Sequence, residues 1–161
     1  MLDERKKIIS WSLYDWANST FSTTVMAGFF PIFFQQYWST ASEVTVSTWY
    51  LGLANSIASI TVASLAPFLG AIAHKASVKK RLLIFFAFIG IISTGSLSMI
   101  GQGHWRLAAL FYVVASIGFM SANIFYDSLL PSVASKQKRD FVSSLGYSLG
   151  YIGWGILFLI N

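Results

Sequence analysis

The chain has 161 residues, 55% of them hydrophobic and only 11% charged, and its mean hydropathy is +0.63. Soluble domains carry about 25% charged residues, so a water-soluble globular domain is excluded. The net charge of +5 is divided among short stretches, which points to membrane topology and anionic lipid and excludes a nucleic-acid surface; the absence of cysteine excludes disulfides, thiolate metal sites and thiol nucleophiles.

Crossing about 30 Å of hydrocarbon takes about 20 helical residues, and five apolar stretches qualify: 8–35, 49–73, 82–101, 107–130 and 141–160. Each is expected to be helical, because lipid offers no partner to an unpaired backbone group. The predicted fold class is therefore all-α, a polytopic membrane protein of five transmembrane helices forming a single membrane domain.

Arg5, Lys6 and Lys7 precede the first stretch, Lys75, Lys79, Lys80 and Arg81 separate the second from the third, and Lys136, Lys138 and Arg139 separate the fourth from the fifth. The other two gaps hold only Arg106. Basic loops stay in the cytoplasm, so the alternation predicts a multi-pass protein of the cytoplasmic (inner) membrane with its N-terminus inside and its C-terminal end outside. Tyr37, Trp38, Trp49, Tyr50 and Trp105 would then form the outer aromatic belt, and Trp11, Tyr14 and Trp16 the inner one.

In the first stretch, Asp15 lies seven residues beyond Ile8, or roughly 10 Å into the helix. An Asp at mid-membrane costs roughly 2.5–3.5 kcal/mol, while the ten Leu, Ile, Val and Phe residues between Ile8 and Phe34 return roughly 3–6 kcal/mol. Asn18, Ser19, Ser22, Thr23 and Thr24 erode that margin. The helix is stable only with Asp15, Asn18, Ser19 and Ser22 turned toward other helices or a water-filled cavity, and for Asp15 a packing hydrogen bond to a neighbouring Ser or Asn stands beside a functional role. Pro31 here, and Pro67 beside Gly70 in the second stretch, predict bends whose freed carbonyls need neighbours.

Ser116, Met120, Asn123 and Asp127 recur at helical spacing in the fourth stretch. This stretch descends where the first ascends, so Asn123 and Asp127 fall in the same half of the bilayer as Asp15 and Asn18, and a shared polar cavity is expected. For Asp127 a second reading stands beside it: snorkelling to the surface or pairing with Lys136 or Arg139. In the fifth stretch Ser143, Gly146, Gly150 and Gly153 line one face, which is expected to pack closely against another helix. His74 lacks partners at ligand spacing, so no metal site is expected. Enzyme signatures such as Gly-x-Ser-x-Gly, a phosphate loop or His-Glu-x-x-His are absent, and the chain is not expected to be an enzyme or to carry a cofactor.

Tyr14-Asp15-Trp16-Ala17-Asn18-Ser19 followed by Pro31, and Arg139 followed by Ser143-Ser144-Leu145-Gly146-Tyr147 and Gly150-Tyr151-Ile152-Gly153, resemble the vacuolar-effluxer-like branch of the major facilitator superfamily. Gly70, Lys75 and Lys79 fit that superfamily's loop between helices two and three, while His74, Ser77 and Val78 depart from its pattern. The resemblance implies an alternating-access transporter of twelve helices in two halves, with the first and fourth lining the cavity. It makes Asp15, Asn18, Ser19, Asn123 and Asp127 the substrate or proton pathway, and Gly70, His74 and Lys75 the gating loop. The implied partners are membrane lipid, a small solute of the amino-acid class with coupled protons, and a missing C-terminal half or its helices. Two further readings stand beside an N-terminal transporter portion: a truncated, transport-inactive remnant, and a small assembly or regulatory subunit docking through Gly146 and Gly150.

Overall fold

The structure is a computed structural model and describes residues 2–40, 42–73 and 76–160. Among them all regular structure is helical. Helix α1 (Leu2–Thr20) leads into wider, π-helical turns over Phe21–Phe29, a short α2 (Phe30–Phe33) and a second π-helical run, Phe34–Trp38. Then come α3 (Val44–Ile72), α4 (Ala76–Ser96), α5 (Trp105–Val133) and α6 (Arg139–Ile160).

Every apolar stretch is thus helical, and several helices run past it. Helix α3 begins at Val44 and α4 at Ala76, because winding continues through the polar residues that flank the hydrocarbon. Helices α3, α5 and residues Val78–Met99 are long and apolar enough to cross a membrane. The first segment falls short on composition, because α1 carries Arg5, Lys6, Lys7 and Asp15, whereas α6 opens on Arg139-Asp140 and continues as an apolar run interspersed with Ser and Gly.

The π-helical turns begin where side chains compete for backbone acceptors. Ser22 Oγ and Thr23 Oγ1 both donate to the Ser19 carbonyl at 2.9 Å, and Thr20 Oγ1 donates to that of Trp16 at 3.4 Å. Hydroxyls that occupy carbonyls this way loosen the regular ladder and widen the winding. Pro67 and Pro131, by contrast, lie inside α3 and α5 without interrupting either.

The chain divides into two compact units. One comprises Met1–Phe29 and Tyr126–Asn161 and is built mainly on α1 against α6. At its α5–α6 corner, Arg139 Nε donates to the Ala134 carbonyl at 3.4 Å, which places a cation at the carbonyl end of α5 where the helix dipole favours it.

The other unit, Phe30–Phe125, has a core of Phe30, Phe34, Trp38, Tyr112 and Phe125. Phe30 stacks on Tyr112 with centroids 4.0 Å apart, and the Tyr112 hydroxyl donates to Asn55 Oδ1 at 2.9 Å, joining α5 to α3. Helices α4 and α5 approach most closely at glycines: a Cβ on Gly118 would stand 2.7 Å from the Gly90 nitrogen and 2.8 Å from the Phe86 carbonyl oxygen. The turn before α5 is pinned by Trp38 Nε1 donating to the Ile100 carbonyl at 3.1 Å and by Gly103 N–H donating to that of Tyr37 at 3.0 Å. Gly103 has φ +82°, a conformation that glycine reaches without steric cost. Tyr50 and Trp105 stack 4.0 Å apart beside it, with Arg106 over the Trp105 ring.

Candidate functional site

The polar groups of the first unit converge on one face of α1. Trp11, Asp15 and Ser19 lie four residues apart, so they stack along one side of the helix. Ser19 Oγ donates to Asp15 Oδ1 at 3.3 Å, and Tyr14 hydroxyl donates to Asn18 Oδ1 at 3.5 Å. Asp15, Asn18 and Ser19 are all half-buried. The carboxylate therefore has its hydrogen bond from within its own helix, and its packing comes from elsewhere.

That packing is the glycine face of α6. A Cβ on Gly146 would stand 2.8 Å from Trp11 Cζ3, 3.2 Å from Asp15 Oδ2 and 3.2 Å from the Tyr126 hydroxyl. A Cβ on Gly150 would stand 2.7 Å from Ser19 Oγ and 3.6 Å from Asp15 Oδ2, and one on Gly153 would collide with the Trp16 indole. Absent side chains at these positions let α1 bring its polar face close to α6, the arrangement by which small residues give van der Waals contact in lipid.

An aromatic wall closes the site on the α5 side. Trp11 and Tyr126 stack with centroids 4.2 Å apart and planes 13° from parallel, Tyr14 stacks on Tyr126 at 5.1 Å, and Trp11 Nε1 donates to the Tyr126 carbonyl at 3.2 Å. Trp11 is therefore buried at 7% exposure, held by its ring and its N–H, where the sequence suggested an interfacial anchor. Tyr126 was not singled out from sequence. Its signal was weak: an aromatic residue directly before Asp127.

Asp127 is exposed, yet close enough to Asp15 for the two charges to interact. Asn123, one turn earlier on α5, is half-buried and belongs to the second unit. Above the Asp15–Ser19 pair, Ser19, Ser22, Thr23, Tyr147, Gly150, Tyr151 and Trp154 line a cavity of about 190 Å³. At about 30 Å³ per water this is room for a handful of waters or a small organic solute, with hydroxyls on the α1 wall and aromatic rings on the α6 wall.

Of the three residues expected to form a gating loop, Gly70 lies near the end of α3 with open space where a Cβ would stand, while His74 and Lys75 lie outside the described residues. Among the described residues no three His, Asp or Glu side chains group as a metal would require.

The family model described as "Vacuole effluxer Atg22 like" matches residues 3–48 and 39–161. The chain is 44% identical over 156 residues to an uncharacterized MFS-type transporter of Bacillus subtilis (strain 168), YxiO, a match covering 94% of this chain and 36% of the relative. It is 27% identical over 150 residues to an uncharacterized protein of Aquifex aeolicus (strain VF5), covering 93% of this chain and again 36% of the relative. The chain thus spans about a third of the length of these relatives. No solved structure matches it. Helices of membrane-crossing character and a match over nearly its whole length lead to one conclusion: the chain is a membrane protein of the vacuole effluxer Atg22-like family of major-facilitator-type transporters, corresponding to a portion of its longer relatives.

Proposed function

We propose that these helices belong to an alternating-access transporter of a small solute, with Asp15 as its proton or substrate contact. The observation that carries this reading is the seat of Asp15: a carboxylate on α1, held by Ser19 against the glycine face of α6, with Ser19 also lining a cavity of about 190 Å³. An ionisable group inside a membrane is retained only where it faces a pathway or a partner; Asp15 has a partner in Ser19, and Ser19 lines the cavity, which supports a pathway there.

Asn18, Ser19, Asn123 and Asp127 are assigned to the same path. The family description, an effluxer, suggests export, with amino acids the solute class that the resemblance implies, and the basic residues at 5–7, 75–81 and 136–139 support an inner-membrane protein with its N-terminus in the cytoplasm. Gly70, near the end of α3, with His74 and Lys75 would gate the change of access on the cytoplasmic side. Midplane sites in such folds form between repeats, so transport is assigned to the longer protein. A second reading, that these helices alone are transport-inactive, is supported by the chain spanning 36% of its relatives.

The test is amino-acid flux in proteoliposomes of the full-length protein carrying Asp15→Asn. The substitution keeps the shape and removes the charge, and a loss of at least about tenfold, one lost charge-assisted contact, is expected. An unchanged rate with unchanged pH dependence would remove Asp15 from the mechanism.

A further inference from the structure

Asp15 presents its two oxygens to different neighbours. Oδ1 accepts from Ser19 on its own helix, whereas Oδ2 is the oxygen turned to α6, 3.2 Å from the Gly146 Cβ position and 3.6 Å from that of Gly150. The Tyr126 hydroxyl approaches the same Gly146 point to 3.2 Å. That hydroxyl belongs to a residue only 5% exposed, and it has no hydrogen-bond partner. A buried hydroxyl without a partner is costly, and here it borders the same Gly146 position as the accepting Oδ2 of Asp15.

We propose that Gly146, Gly150 and Tyr126 are positioning residues for Asp15: the glycines admit the carboxylate and the Ser19 hydroxyl against α6, and the Tyr126 hydroxyl is the second donor to the ionised carboxylate. This rests on the reading that Asp15 contacts the proton or the solute. The donors act on opposite oxygens, so ionised Asp15 is clamped between its own helix and α5, while protonated Asp15 loses an acceptor and releases the clamp. The titratable groups facing it are Tyr14 on α1, Tyr126 and Asp127 on α5, and, through Tyr126, Tyr147 on α6.

The glycines follow from the same geometry. Alanine at Gly150 would take the space of the Ser19 hydroxyl, and alanine at Gly146 would crowd Trp11, Asp15 and Tyr126 together. A face needed only for close packing would tolerate compensation by a smaller residue opposite it, whereas a face that seats a hydrogen bond would not.

The experiment measures modification of Asp15 by dicyclohexylcarbodiimide in full-length protein in native membranes, quantified by peptide mass spectrometry from about pH 5 to 9. The reagent adds to the protonated carboxyl, so its rate reads how firmly the ionised form is held and needs no knowledge of the solute. Tyr126→Phe preserves the ring stack and removes only the hydroxyl, and Ser19→Ala removes the other donor. Each is expected to raise the rate near pH 7 by about tenfold, the effect of one lost hydrogen bond to a charged group. Ser19→Gly with Gly150→Ala, in which the overlap is relieved, is expected to label as fast as Ser19→Ala. Wild-type labelling in Tyr126→Phe, or a return to wild-type labelling in the double variant, overturns the proposal. Neither result touches the Asp15→Asn flux measurement, so the two readings fail separately.

Discussion

Two hydrogen bonds between side chains far apart in sequence or close within a helix set the character of the two units. The Asp15–Ser19 pair was legible, because an i, i+4 spacing on a helix fixes who faces whom. The Tyr112–Asn55 bond was not, because 57 residues separate its ends and a lone Asn in an apolar helix shows no stripe to follow. Tyr112 is 1% exposed and stacked on Phe30, so Tyr112→Phe keeps the stack and loses only the bond. It is expected to lower stability by about 0.6 kcal/mol and by no more than about 1.7 kcal/mol, the range for interhelical bonds in membranes, as read by reversible unfolding in mixed micelles. Trp11 illustrates the opposite case: a Trp near a basic end suggests a membrane-surface anchor, yet its ring and N–H are both spent on Tyr126.

Among the helices, small residues decide the closest approaches, and only some of these could be read in advance. In α6 the glycines recur every three or four residues and announce a face. In α4 and α5 a single glycine on each helix makes the contact, Gly90 against Gly118, and one glycine per helix carries no periodic signal. Gly118→Ala would place a methyl against backbone atoms that cannot swing aside, and a loss of about 1–3 kcal/mol is expected from overpacking. Gly52 and Gly95 have open space at the Cβ position, so Gly52→Ala and Gly95→Ala are expected to be neutral or to gain up to about 1 kcal/mol of helix propensity. Thermal unfolding of the four proteins in one detergent compares them directly. The π-helical turns after Thr20 follow from hydroxyls on backbone carbonyls; the run of Ser and Thr was visible, but which carbonyls they would take was not.

For the molecule as a whole, charge placement makes a prediction that the lack of cysteine renders simple to check. Single cysteines at Lys79 and Lys138 are expected to react with a membrane-impermeant maleimide only after the cytoplasmic face is opened, and one at Arg106 without opening. Labelling of Lys79→Cys and Lys138→Cys from opposite sides would refute the five-crossing topology. The sequence by itself determined the all-α membrane class of this protein and that its apolar stretches wind as helices, because hydrophobic length and helical period are properties of neighbouring residues. Tertiary structure alone decided what the acid rests on: that Oδ2 of Asp15 meets the glycines of α6 and stands near a buried tyrosine hydroxyl of α5 depends on which helices adjoin, and residues more than a hundred positions apart carry no local record of their meeting.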